Sequence, residues 1–136
     1  MLYWEIVNYK NYKMEIPKFH QTFLPILKVL SKEETLHHRE MSRKVIEGFY
    51  SKLSKDQLEK KTKSGDVLIL NRIAWGKSYL KKGGFIEFPK RGYVRITDKG
   101  LKSIDKNLTL RDVENSEGFS IFIMKKLQLK IQPLTL

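Results

Sequence analysis

Residues 71–100 read NRIAWGKSYLKKGGFIEFPKRGYVRITDKG, and this stretch decides the fold. Its first half continues an apolar pattern at intervals of four, three and four residues, the period of one helix face. The pattern predicts a helix over about residues 67–83, with Asp66 as its N-terminal cap and Gly83-Gly84 as its end. The buried stripe is expected to comprise Ile69, Ile73, Gly76 and Leu80.

A β-hairpin with a basic tip follows this helix. The apolar residues Phe85, Ile86 and Phe88 lead into the turn-forming PKRG, and YVRIT leads out of it. Because side chains alternate along a strand, we expect Val94 and Ile96 to share one face. Thr97 has the position and chemistry of an N-terminal cap, which predicts a further helix after the hairpin.

Three helices are predicted ahead of this stretch. Apolar residues at helical spacing over 18–31 predict the first. Pro25 either lies in the first turn of a helix that begins near Gln21, where no backbone N–H is needed, or kinks a longer helix, and we favour the later start. A second amphipathic helix is predicted over roughly 37–50. Ser54 and Gln57 have the spacing of a capping box, so a short third helix should follow them.

The predicted fold is mainly α with a small β-hairpin. Helices followed by a two-stranded ribbon with a basic tip are the ingredients of a winged helix-turn-helix, which we take as the predicted architecture. Residues 1–16 then form an N-terminal arm, 17–107 the winged-helix domain, and 108–136 a linker with a C-terminal amphipathic helix. Because winged helices also mediate protein contacts, the topology alone does not establish DNA binding.

The positive charge of the chain is concentrated in one segment. The 136 residues carry a formal net charge of +12. Residues 71–102 contain nine Lys or Arg and two Asp or Glu, a net charge of +7 in the final long helix and the hairpin. Such a local excess is typical of a surface that meets a polyanion, and double-stranded DNA is the expected partner.

The composition excludes several classes of protein. A hydrophobic fraction of 40% with 15 aromatic residues is incompatible with a wholly disordered chain. No apolar run reaches the roughly 18 residues of a membrane span, and the start shows no cleavable signal, so we expect a soluble protein without membrane partners. The absence of cysteine excludes disulfides and thiolate metal sites and is compatible with a cytoplasmic location.

The candidate DNA-binding residues are cations and amides of the long helix, the hairpin tip and the loop before the helix. Lysine and arginine contact phosphates, while amide, hydroxyl and amine groups such as those of Asn71, Ser78 and Lys77 can read base edges in the major groove. The expected set is Asn71, Arg72, Lys77, Ser78, Lys81, Lys82, Lys90, Arg91, Lys60, Lys61 and Lys63.

Two features of the long helix allow more than one interpretation. Arg72 either reaches a phosphate or pairs with an acid and holds the helix in place. Trp75 and Tyr79 could stack on bases, but aromatic residues at helical spacing more often belong to a core, and we predict that they do so here.

The stretch from Phe23 to Ile104 resembles the N-terminal domain of the Mrr family of restriction proteins, the type IV endonucleases that cut modified DNA. The resemblance rests on PILKVL in the first helix, Ser64-Gly65, the block NRIAWGKSYLKKGGFIE, and RGYVRITDKG. It covers about 80 residues. It implies a DNA-binding domain that is followed, in the family, by a nuclease domain of the PD-(D/E)xK type.

That nuclease domain is expected to be missing here. It needs on the order of a hundred residues, and about 30 follow Ile104. Gln128 and Lys130 repeat the glutamine and lysine of the family's catalytic motif, but no aspartate-bearing strand precedes them to hold Mg²⁺. We therefore predict a chain without catalytic residues. A truncated gene, an isolated domain and a natural DNA-binding fragment all fit this length.

No cofactor or metal site is expected either. His37 and Glu40 would share a helix face, but three histidines without cysteine make a complete ligand set difficult to assemble. No glycine-rich phosphate loop or nucleophile cluster is present, since Gly83-Gly84 reads as a helix end.

The alternative hypothesis is a protein interaction module with incidental basic charge. The C-terminal helix, with Phe119, Phe122, Ile123 and Leu127 at helical spacing, is the candidate surface for a homodimer.

Overall fold

The fold consists of short helices and one small sheet. A computed structural model describes residues 13–131. A 3₁₀ turn at Phe19–Thr22 precedes the first α-helix. The strands are β1 (Leu36–His37), β2 (Ile86–Glu87) and β3 (Tyr93–Ile96). The α-helices are α1 (Phe23–Ser31), α2 (His38–Phe49), α3 (Lys55–Glu59), α4 (Leu68–Lys82), α5 (Asp98–Ser103), α6 (Leu110–Glu114) and α7 (Glu117–Ile131).

The core is organised around α1. Six of its nine residues are buried, and the helix packs against α2, α4 and the sheet. Pro25 is the third residue of α1, which confirms the prediction that it lies in the first turn. The core side chains with no exposed surface include Phe23, Ile26, Leu27, Leu30, Met41, Val45, Ile73, Leu80 and Val113.

The sheet has three antiparallel strands in the order β1-β3-β2, where the sequence predicted a two-stranded ribbon. Leu36 pairs with Val94, and Ile86 pairs with Ile96. The backbone N–H of His38 also donates to Gly92 O at 2.9 Å. The first strand therefore ties the hairpin to the N-terminus of α2, and α2 begins one residue later than predicted.

Helix α4 confirms its predicted stripe, because its buried residues are Ile69, Ile73, Gly76 and Leu80. The predicted cap is wrong: Val67 is the N-cap, and no side chain caps the helix. The backbone bridge between Lys61 and Val67 folds the preceding loop back on itself. Asp66 is held in that loop, where its carboxylate accepts from Ser64 Oγ at 3.4 Å.

The predicted N-terminal caps of α3 and α5 are confirmed. Ser54 and Gln57 form the predicted capping box of α3. Thr97 Oγ1 accepts from the Gly100 N–H at the start of α5. Gly84, with φ of 82°, follows the end of α4, a conformation that glycine adopts without a steric penalty.

The C-terminal segment is anchored at one end. Val113 of α6 and Phe119 of α7 are buried, whereas the rest of α7 is mostly exposed. Among the described helices, none combines the length and the apolar character that crossing a bilayer requires. The predicted N-terminal arm lies largely outside the described residues, which begin at 13.

Candidate nucleic-acid interface

Helix α4 turns a strip of small and polar residues away from the core. With 3.6 residues per turn, Asn71, Ala74 and Ser78 lie on the side opposite the buried stripe. Ala74 is exposed, and Asn71 and Ser78 are half-buried. Among residues 13–131 no hydrogen bond involves the side chain of Asn71 or Ser78. The polar groups of this strip are therefore available to a ligand.

Two lysines of α4 meet the hairpin at an aromatic ring. Lys77 Nζ and Lys81 Nζ each lie 5.6 Å from the ring centroid of Phe88, whose side chain is 42% exposed. Partial burial lowers the pKa of the Lys77 ammonium group, and no carboxylate in the described residues pairs with it. Two cations of the helix therefore lie against an exposed aromatic ring of the hairpin.

The basic tip of the hairpin rests on the N-terminus of α2. Lys90 and Arg91 are exposed, and Lys90 Nζ lies 4.1 Å from the ring centroid of Tyr93. The Tyr93 ring in turn meets the ring of His37 edge to face, with centroids 5.3 Å apart. His37 Nδ1 accepts from the Arg39 N–H, so the same imidazole caps α2 and supports the hairpin.

His38 lies close to several positive charges at the junction of α2, α4 and the hairpin. Its pKa is lowered first by burial and then by the charges of Lys77, His37 and Arg39. The cations around His38, Lys77 and Arg39, would also attract a phosphate. His38 and Arg39 were not among the residues predicted from sequence, because α2 shows no local charge excess.

The acids close to this surface are already paired. The Arg43 guanidinium bonds both Glu40 and Glu47 on α2, so Glu40 is not free to join His37 at a metal. Glu87 pairs with Arg95 across the hairpin, with Nη2 2.6 Å from Oε1. No group of three histidine or acidic side chains in residues 13–131 could hold a metal ion.

Arg72 lies on a different side of α4 from Asn71. Its Nη1 donates to Pro17 O at 3.2 Å, so the guanidinium ties the helix to the segment before the 3₁₀ turn. The prediction left open a phosphate contact or an ion pair with an acid; the observed partner is a backbone carbonyl. Lys82 Nζ lies 4.6 Å from the ring centroid of Phe122 on α7.

The two aromatic residues of α4 differ in burial. Tyr79 packs against Phe19 and Phe119, with ring centroids 4.8 and 5.4 Å away. Trp75 is 51% exposed, so the prediction that it belongs to the core is wrong. The physical reason is that Phe19 and Phe119 cover α4 at Tyr79, and Trp75 lies one turn before that cover and closer to the outward strip.

Three lysines occupy the loop before α4. Lys60, Lys61 and Lys63 are exposed. The loop is ordered by its own hydrogen bonds: the Thr62 N–H donates to Asp66 O at 2.7 Å, and the Leu68 N–H donates to Lys60 O at 2.7 Å. The lysines therefore stand on a fixed backbone next to the start of α4.

A groove of about 600 Å³ separates α2 from α4. Its lining includes apolar residues, among them Met41, Ile46, Leu70 and Ala74, and cations such as Arg39 and Lys77. Leu70 and Ala74 are apolar residues outside the buried stripe of α4, and this pair was the feature of the sequence that could have indicated a second apolar surface. Sequence reasoning did not identify this groove.

The residues considered for catalysis do not come together. Gln128 and Lys130 are exposed on α7. Asp112, an acid upstream of both residues, forms a capping box with Thr109, and the hydrogen bonds from Thr109 lower the pKa of its carboxyl group. These positions form no acidic cluster beside the lysine.

Comparison with known families gives one assignment. Searches against curated proteins and solved structures give no match. The family model described as the Mrr N-terminal domain matches residues 19–106, which run from the 3₁₀ turn through α5 and include the hairpin. The match contains every residue of the surface formed by α4, the hairpin and the N-terminus of α2. The chain belongs to the Mrr N-terminal domain family.

Proposed function

We propose that this chain is a non-catalytic winged helix-turn-helix domain that binds double-stranded DNA. In this proposal α4 is the recognition helix in the major groove, and the hairpin is a wing that contacts phosphates. The observation that carries it is that two lysines of α4, Lys77 and Lys81, meet the hairpin at the exposed ring of Phe88. The expected location is the cytoplasm.

The surface offers both kinds of contact that DNA recognition needs, cations for phosphates and polar side chains for base edges. Exposed cations lie at the hairpin tip and in the loop before α4, and in this proposal they contact the phosphate backbones of the duplex. The strip itself carries unpartnered Asn71 and Ser78, whose amide and hydroxyl can bond base edges. Membership of the Mrr family supports the same function.

A salt titration of duplex binding, followed by fluorescence anisotropy, tests the proposal. With about five phosphate contacts, we expect the logarithm of the binding constant to fall with a slope of roughly −4 to −5 against the logarithm of salt concentration. Replacing Lys90 and Arg91 together by alanine should reduce the slope by about two units. The matched control is Lys125→Ala with Lys126→Ala, on α7, which should leave the slope unchanged. Absence of binding at low salt would overturn the proposal.

The non-catalytic part has its own test. A supercoiled plasmid incubated with the protein and Mg²⁺ should remain intact. Cleavage that requires Mg²⁺ and is abolished by Lys130→Ala would show an active site and contradict this part of the proposal.

Self-association through α7 is a second candidate function. Beyond Phe119 the helix exposes large apolar side chains around its circumference, and a helix of this kind is usually buried in an assembly. A second copy of this chain is the proposed occupant, and this role is compatible with DNA binding by α4. The exposed side chains are Ile121, Ile123, Met124, Leu127 and Leu129.

A further inference from the structure

We propose that the exposed side of α4 prefers A·T over G·C base pairs, with Asn71 of the outward strip reading adenine and with Ala74 and the neighbouring Leu70, on the side toward α2, contacting the thymine methyl group. This inference rests on the proposed function and adds a base preference to it. It depends on which side chains of α4 are free, which are apolar and which are already engaged.

Asn71 has the chemistry that adenine presents. The major-groove edge of adenine offers N7 as an acceptor and the N6 amino group as a donor, and a side-chain amide matches both at once. The amide of Asn71 has no hydrogen-bond partner among residues 13–131. It lies near the N-terminal end of α4, the part of a recognition helix that reaches base edges in this class of domain.

Leu70 and Ala74 place apolar surface beside that amide. They are one turn apart on the side of α4 that faces α2, and both line the groove between the two helices. Leu70 is 43% exposed, and Ala74 is also exposed. The C5 methyl of thymine is the apolar group that a base pair presents in the major groove, so contact with it would remove both surfaces from water.

The groups that would select G·C are occupied or missing on this strip. Arginine bonded to guanine O6 and N7 is the commonest specific contact, but Arg72, the one arginine of α4, is engaged with Pro17 O on another flank. Carboxylates accept from the cytosine amino group, and α4 contains none. Lysine can make the same guanine contact, but Lys77 and Lys81 lie beside Phe88 of the hairpin, and the proposal assigns them to phosphates for that reason.

Competition among unlabelled duplexes of equal length, at one salt concentration, tests the inference. The labelled probe is a mixed-sequence duplex, and the competitors are alternating dA·dT, dA·dU, dG·dC and dI·dC. We expect dA·dT to compete about tenfold better than dG·dC, which matches the cost of about one unfavourable base contact. The dA·dU duplex lacks only the methyl group and should compete about threefold worse than dA·dT.

The dI·dC duplex separates the two grooves, because its minor groove resembles that of A·T and its major-groove edges resemble those of G·C. It should compete like dG·dC. Asn71→Ala should lose most of the discrimination between dA·dT and dG·dC, and Leu70→Asn should lose the difference between dA·dT and dA·dU. Asn107→Ala, an exposed asparagine after α5, is the matched control and should change neither ratio.

The outcomes distinguish this inference from the proposed function. Tight, salt-dependent binding with equal competition by dA·dT and dG·dC overturns the base preference and leaves DNA binding standing. A dI·dC duplex that competes as well as dA·dT assigns the preference to the minor groove and overturns the roles given to Asn71 and Leu70. Failure of every duplex to bind overturns the proposed function itself.

Discussion

Gly76 explains how α4 packs so closely against the start of the domain. A Cβ at this position would overlap Thr22 Oγ1 and lie 3.0 Å from Phe19 O. Thr22 cannot easily move aside, because it is fully buried and its hydroxyl donates to Phe19 O. The smallest side chain in the buried stripe therefore sets the distance between α4 and the 3₁₀ turn.

We expect Gly76→Ala to lower the free energy of unfolding by about 1–3 kcal/mol, the usual cost of overpacking a rigid site. Gly48→Ala is the matched control, since a Cβ on Gly48 meets no atom within 4 Å and alanine is the better helix former. It should leave stability unchanged or raise it. Urea denaturation measures both, and a Gly76→Ala variant as stable as the parent would contradict the packing argument.

The sequence predicted the buried stripe of α4 correctly but not the surroundings of its other residues. A second row of α4 follows the same intervals as the stripe and comprises Leu68, Arg72, Trp75 and Tyr79. Spacing alone therefore does not show which of these residues are buried. The difference comes from Phe19 and Phe119, which cover Tyr79 and leave Trp75 exposed. A one-helix pattern identifies a face, whereas the side chains that cover it come from distant parts of the chain.

The strand β1 shows a similar limit for whole elements. Leu36 and His37 carry no period of their own, since a two-residue strand exists only through its pairing with Tyr93 and Val94. The helices α1, α2 and α4 were predictable because each contains several repeats of its own apolar pattern. The hairpin was predictable for a different reason, because its turn residues sit between two apolar runs.

Thr97 joins the hairpin to the helix that follows it. Its hydroxyl donates to Gly84 O at 2.7 Å and accepts from the Gly100 N–H at 3.2 Å. Thr97→Val keeps the shape but loses both hydrogen bonds, so we expect a loss of about 1–2 kcal/mol in the free energy of unfolding. Thr97→Ser retains both bonds and is the control. Equal stability of the two variants in urea would argue against this role.

The junction of α2, α4 and the hairpin should make DNA binding depend on pH. Because the pKa of His38 is lowered in the folded chain, unfolding takes up a proton, and this contribution to stability is lost as pH falls through the folded-state pKa. A bound phosphate has the opposite effect: it raises the pKa of His38 and favours its charged form. Through His38, a fall in pH therefore lowers the stability of the free protein and raises its affinity for DNA.

We expect affinity for duplex DNA to rise between pH 7.5 and pH 5.5, and to rise less in His38→Gln. The pH range brackets the ordinary histidine pKa of about 6.5. Anisotropy at constant ionic strength measures the affinity, and an NMR titration of the His38 imidazole, with and without DNA, measures its pKa. A variant with the same pH dependence as the parent would exclude His38 from the interface.

The location of the charge excess was predictable from the sequence, but its grouping was not. Counting residues assigns +7 to residues 71–102. The fold then divides these cations: Lys77 and Lys81 meet the hairpin at Phe88, while Arg72 and Lys82 turn toward Pro17 and Phe122. The division follows from the tertiary contacts of α4, which composition does not contain.

The two proposed roles of the molecule occupy separate segments and should be separable by truncation. A chain ending at residue 120 keeps Val113 and Phe119, which are buried, and loses the exposed apolar part of α7. We expect the full chain to show a concentration-dependent mass in sedimentation equilibrium and the truncated chain to be monomeric. Because the surface formed by α4 and the hairpin is retained, the truncated chain should bind duplex DNA with an unchanged salt slope when both proteins are monomeric.

A second variant tests whether a loss of self-association comes from the exposed apolar side chains of α7 and not from shortening the chain. Met124→Lys with Leu127→Lys keeps the length but puts two charges on exposed apolar positions of α7, where they would be costly only in an interface. It should be monomeric, whereas Lys125→Gln with Lys126→Gln should associate as the parent does. A full chain that remains monomeric at all concentrations would exclude α7 as a self-association surface, and weaker DNA binding by the truncated monomer would place α7 in the DNA interface instead.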